Sequence, residues 1–210
     1  MKRFQMIAEA DARTLEYGST VVLVKGGHVT PLAADTLKAR RVTIVREGVE
    51  VDAETLAPPS DIRIVAIAGD HTAVALKAMV RQHLRSRGMT VHDLGTETSE
   101  PVDYPDTAAA VAKQVAAREA DAGIVIDGAG LGSAIAANKI DGVRAAMCTT
   151  RTLARYAREH NGANVLALGA TLLTPEEALA VVDTFLATAM REPRYLRRLV
   201  KIRQLEERQG

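Results

Sequence analysis

Sulfur, bulky aromatics and long apolar runs are all scarce in this chain of 210 residues. Its one cysteine, Cys148, excludes an intrachain disulfide framework and the paired cysteines of a structural zinc site. Tryptophan is absent, aromatics make up 3%, and Lys plus Arg (27) barely exceeds Asp plus Glu (26). Nucleic-acid binding calls for stacking rings and a basic excess, so that class is disfavoured. The longest apolar stretches, such as Ile64 to Ala68 and Val165 to Leu168, fall far short of the ~20 residues that span a bilayer. Glu9 and Asp11 interrupt the N-terminal stretch before any apolar run, so no secretory signal is read and a cytoplasmic location is expected.

What is present suits a folded globular protein. Apolar residues at 47% can fill one good-sized core, and the length suggests one domain plus an appendage. The break falls at Pro58-Pro59, where two amide donors are lost and φ is fixed. The expected layout is therefore an N-terminal extension over 1–56, a linker over 57–61 and a larger domain over 62–210. The extension reads as a small α+β unit: a strand Thr20 to Val24, a turn at Gly26-Gly27, a helix Pro31 to Arg40 capped by Thr30, and a strand Arg41 to Val45.

Beyond the linker, strand and helix patterns alternate. Ile62 to Ala68 is a β-branched run of the kind buried on both faces. Strands are also expected at 89–94, 122–126, 143–147 and 165–168, with helices at 72–87, 105–118, through 137, 151–159 and 175–190. This alternation predicts an α/β, doubly wound (Rossmann-like) parallel sheet, whose ligands sit beyond the carboxyl ends of the strands. A basic helix with Arg194, Arg197, Arg198, Lys201 and Arg203 closes the chain.

Residues with chemistry gather at those strand ends. One strand delivers Asp70 and His71; another delivers Asp127 and the run Gly128-Ala129-Gly130-Leu131-Gly132-Ser133. The glycines serve either a tight turn or an anion site built from backbone amides. His71 and His160 can move protons near neutral pH, and no ligand spacing supports a metal. His28, His83 and His92 read as structural or solvent-facing. Cys148 reads as a small buried hydrophobe. Arg194 and Arg198, one turn apart, make either a solvated face or a phosphate clamp.

From Ile62 to about Glu206 the chain resembles the type B ribose-5-phosphate isomerase and galactose-6-phosphate isomerase family. The resemblance rests on AGDH (68–71), DLGT (93–96), VDYPD (102–106), ADAGIVI (120–126), GLGSAIAANKIDGVRAA (130–146), AREHNGANVLALG (157–169) and EEALAVVDTFL (176–186). It implies a homodimer or dimer of dimers with sites shared between subunits, aldose–ketose isomerisation of a small phosphorylated sugar through an enediolate, and no metal or organic cofactor. By the same resemblance His160 opens the sugar ring, Asn161 holds the reacting oxygens, and Asp70 and His71 contact hydroxyls and phosphate. Tyr104 lines the pocket, Arg194 and Arg198 bind phosphate, and the amides of Gly128 to Gly132 face the enediolate. One branch of the family carries a catalytic cysteine where this chain has Asp127, and another uses a glutamate where it has Ser133. Asp127 is therefore the expected base, provided burial lifts its pKa toward neutrality. Two alternatives stand beside the isomerase: a hydrolase in which Asp127 activates water, and a non-catalytic binding or scaffold protein. Residues 28–45 are similar to a short element of bacterial microcompartment proteins, which implies an encapsulated pathway.

Overall fold

The computed structural model describes residues 2–46 and 56–206 and divides the chain into two compact units, Met1–Ala53 and Glu54–Gly210. The first unit runs β1 (Arg3–Ile7), α1 (Glu9–Thr14), β2 (Thr20–Val29), α2 (Pro31–Ala39), β3 (Thr43–Arg46). Its three strands are parallel in the order β1-β2-β3, over a core that includes Ile7, Leu15, Leu23, Ala33 and Leu37. The Thr30 hydroxyl accepts from the Ala33 amide, the cap expected for α2.

Two features of this unit differ from the expectation. Gly26-Gly27 does not reverse the chain: β2 passes straight through it. Its register against β1 shifts between Phe4 and Met6, and Gly26 takes φ +76°, so the pair forms an irregularity within a strand. The unit also contains β1 and α1, which were not expected.

In the second unit the elements are β4 (Ile64–Gly69), α3 (Val74–Ser86), β5 (Thr90–Asp93), α4 (Tyr104–Ala116), β6 (Ala122–Asp127), α5 (Leu131–Ala137), β7 (Ala145–Met147), α6 (Arg151–Asn161), β8 (Val165–Gly169), α7 (Pro175–Ala187) and α8 (Pro193–Glu206). The five strands are all parallel, in the order β5-β4-β6-β8-β7. Strand periodicity sorts the side chains onto two faces. Val65, Ile67, Ile124, Ile126, Leu166 and Leu168 pack with α3, α6 and α7. Ala66, Ala68, Val125, Val165 and Ala167 pack with α4 and α5. Small residues dominate the second face, which lets those helices lie close to the sheet. From β4 the chain crosses to one side to form β5, then returns to place β6 on the other side of β4. The reversal opens a crevice between the carboxyl ends of β4 and β6, where such sheets take their ligands.

Candidate active site

Asp70 and Asp127 leave the ends of neighbouring strands: Gly69 pairs with Ile126, and the Asp70 amide donates to the Ile126 carbonyl at 3.2 Å. Both side chains are buried, at 6% and 5% exposure. Asp70 Oδ1 accepts from the Thr72 amide (2.9 Å) and hydroxyl (2.6 Å). His71 Nδ1 accepts from the Val102 amide at 3.3 Å, so in the neutral ring the proton sits on Nε2, free to donate. Tyr104 starts α4, and its ring lies so close to Gly132 that a Cβ there would stand 2.6 Å from the ring carbons. The glycine makes room for the tyrosine. Asp70, His71, Tyr104, Asp127 and the 128–133 loop thus share one end of the sheet.

Asp127 holds that loop. Its Oδ1 accepts from the amides of Ala129 (2.8 Å) and Gly130, and its Oδ2 from the amide of Ser133 at 2.8 Å. Burial pushes the carboxyl pKa up, but the contacts from Ser133, Gly130 and Ala129 outweigh it and hold the group below its ordinary value. The expected rise toward neutrality is thereby corrected. Amides expected to face an enediolate are engaged by the protein's own carboxylate, whereas those of Gly128, Leu131 and Gly132 make no bond to it. Among the described residues Ser133 Oγ, buried beside the same carboxylate, has no partner in hydrogen-bond geometry.

The remaining expected residues lie elsewhere. Helix α6 starts after the carboxyl end of β7 and runs eleven residues back toward the start of β8, a rise of about 16 Å. His160 and Asn161 fill its last turn, at the opposite end of the sheet from Asp70 and Asp127. The His160 ring lies between Tyr156 (centroids 4.6 Å, stacked) and Tyr195 of α8 (4.7 Å, tilted). Its Nε2 is 3.9 Å from Glu159 Oε1. Asn161 Nδ2 donates to the Tyr156 carbonyl at 3.0 Å. Arg198 places its guanidinium 5.5 Å from the centre of the Tyr195 ring, on the His160 side of the molecule. Arg194 lies in the first turn of α8, but its side chain lies outside the described residues.

Two of the other histidines read from sequence have side-chain partners. His83 meets Asp183 at 2.8 Å and His92 meets Gln114 at 2.9 Å. Burial lifts the Cys148 thiol to about 11, far from a reactive thiolate. Among the described residues no group of three His, Cys, Asp or Glu side chains could hold a metal ion, and no helix is long and apolar enough to cross a membrane. Sequence reasoning missed Thr72, which fixes Asp70, and the two tyrosines around His160. Tyr156, four residues before His160 on one helix, was open to periodicity; Tyr195, on another element, was not.

A parallel α/β sheet of this order, with paired acids and a glycine loop at its switch point, defines a Rossmann-like protein with a small-molecule crevice. Within that class the chain belongs to the Ribose/Galactose Isomerase family, whose model matches residues 65–202. Ribose-5-phosphate isomerase B of Escherichia coli is 41% identical over 146 residues, covering 70% of this chain and 98% of the relative. A putative sugar phosphate isomerase of Rickettsia bellii is 38% identical, covering 66% and 96%. Among solved structures, ribose-5-phosphate isomerase B of Clostridium thermocellum is 44% identical with a TM-score of 0.69, covering 70% of this chain and 99% of that one. The enzyme of Mycoplasma genitalium, solved with bound ribulose-5-phosphate, is 39% identical with a TM-score of 0.66, covering 69% and 96%.

Proposed function

We propose that the protein is an aldose–ketose isomerase acting on a small phosphorylated sugar through an enediolate, in a site shared by two copies of the chain. The observation that carries this is the separation of two half-sites, one with Asp70, His71, Tyr104 and Asp127, the other with His160, Asn161 and Arg198. Each half is ordered by its own contacts, and a single chain leaves them at opposite ends of the sheet. Two copies related by a two-fold axis would bring the halves together twice over. In that site His160 opens the ring and Asn161 holds the reacting oxygens. The arginines of α8 bind phosphate.

By the family resemblance Asp127 takes the post that a catalytic cysteine holds in one branch of the family. A carboxylate offers about four acceptor sites, and three amides fill three of them here. The remaining site belongs to an ionised but weak base, which suits proton transfer at a modest rate. Incubating the protein with ribose 5-phosphate in deuterated water tests the proposal: ribulose 5-phosphate should form with deuterium at carbon. D127N should lower kcat by about 10²–10⁴-fold, whereas D127C should keep or raise it.

A second reading has one observation in its favour. Asp127 occupies amides that a developing oxyanion would use, as it would in a member that binds sugar phosphates without converting them. Saturable binding of ribose 5-phosphate, with neither interconversion nor deuterium uptake by any phosphorylated pentose or hexose, would overturn the isomerase in favour of this binder. The encapsulated role implied by residues 28–45 is tested separately, by whether the full chain enters purified microcompartment shells.

A further inference from the structure

The segment 56–59 precedes the family match, yet it is built into the His160 half-site. Two arginines hold it there. Arg158, on α6, is fully buried over the Phe185 ring (5.1 Å to its centre), and its hydrogen bonds go to backbone carbonyls: Nε to Thr188 (3.2 Å), Nη1 to Ala163 (3.0 Å) and Nη2 to Pro59 (2.9 Å). Arg144 donates from Nε to Gly162 (2.7 Å), from Nη1 to Gly142 (3.4 Å) and from Nη2 to Leu56 (2.9 Å). Gly162 and Ala163 follow Asn161 at the end of α6, so each arginine ties the strap to the turn that ends the His160 helix. Among the described residues no carboxylate bonds to either guanidinium; burial depresses both pKa values, against the opposing charge of Glu206 at Arg144, and that of Arg158 falls to about 10 with Arg144 as a second cause.

The strap also touches the ring that flanks the histidine. Leu56 and Ala57 pack on the apolar cluster of Met190, Tyr195 and Leu199, and Tyr195 is one of the two rings that sandwich His160. Moving the strap would free one wall of that sandwich.

We propose that Arg144 and Arg158 are positioning residues that clamp the strap Leu56–Pro59 beside the end of α6, and that the strap, through Leu56 and Ala57, holds Tyr195 against His160. The catalytic part of this inference rests on His160 as the ring-opening group; the structural part does not. The test therefore uses a signal that needs no substrate. Stacking between two tyrosines imposes a ring-current shift on the His160 imidazole protons, visible by NMR in the full chain.

R158M, R144M and L56A should each move the His160 resonances toward the values of an unstacked ring, with R158K intermediate between R158M and the wild type. With ribose 5-phosphate, kcat should fall about tenfold or more as the ring is displaced, while KM changes little. If an arginine variant fails to fold, L56A, which trims a partly buried side chain, decides the matter. Unmoved His160 resonances in L56A would overturn the proposal even with turnover intact. Shifted resonances in a protein that turns over no sugar phosphate would leave the clamp standing and remove only the isomerase reading.

Discussion

Replacing Asp127 by asparagine keeps the shape of the side chain but turns one oxygen into an NH2 group. That group must face an amide donor, either from Ser133 or from the Ala129 and Gly130 pair. An unsatisfied buried donor costs about 1–3 kcal/mol, so D127N should be less stable than the wild type by that order. The pH dependence carries a further signature. The folded carboxyl is held below its ordinary value, so its ionised form stabilises the fold above about pH 4, where the unfolded chain titrates. The contribution is lost as pH falls through the lower, folded value. Urea unfolding should therefore show the full gap between wild type and D127N at pH 7 and a smaller one at pH 3. An equal gap at both values would mean that the amides do not depend on the charge. Sequence reading located this residue but misjudged its electrostatics. The apolar strand before it, Ile124-Val125-Ile126, signalled burial; the return of three amides onto the carboxylate depends on the fold of the loop, which side-chain identities leave open.

At the scale of elements, the Thr30 cap of α2 was legible and is formed; a second cap, at α7, was not read from the sequence. Thr174 accepts from the Glu177 amide at 3.3 Å while Glu177 Oε2 accepts from the Thr174 amide at 2.9 Å, a reciprocal pair at the start of α7. T174A should lower stability by about 1 kcal/mol, read as a shift of the denaturation midpoint without a change of slope. The strands of the second unit were equally plain, because residues such as Val65, Ile67 and Ile124 must be apolar when helices cover both faces. The first unit was harder. Four of the five residues of β1 are not buried, so its alternation is weak; α1 follows Ala8, which has no capping side chain. The glycine pair of β2 carries the usual mark of a turn. It lies within a strand because the parallel β1 absorbs it by shifting register. Arg144 and Arg158 escaped notice for a related reason. Arginines on a helix or before a strand are read as surface, and only the packed structure shows carbonyls converging on them.

The whole molecule poses a question that one chain cannot answer alone, since its two sets of candidate residues lie at opposite ends of a sheet. Motif order along the sequence revealed both sets, but not this distance, because α6 carries His160 away from the strand ends by its own length. If two chains complete each other's sites, inactive variants should rescue one another. D70N disables the half-site at the β4–β6 crevice, and H160A disables the half-site at the end of α6. Each homodimer then lacks an intact site. In a mixed dimer, the crevice of the H160A chain meets the α6 end of the D70N chain with every residue present, while the second site carries both lesions. Random pairing makes half the dimers mixed, each with one good site of two. Co-expressed D70N and H160A chains should thus recover about a quarter of the wild-type isomerisation of ribose 5-phosphate per chain. Were each site contained within one chain, the mixture would stay as inactive as its components, because no chain in it would carry both Asp70 and His160.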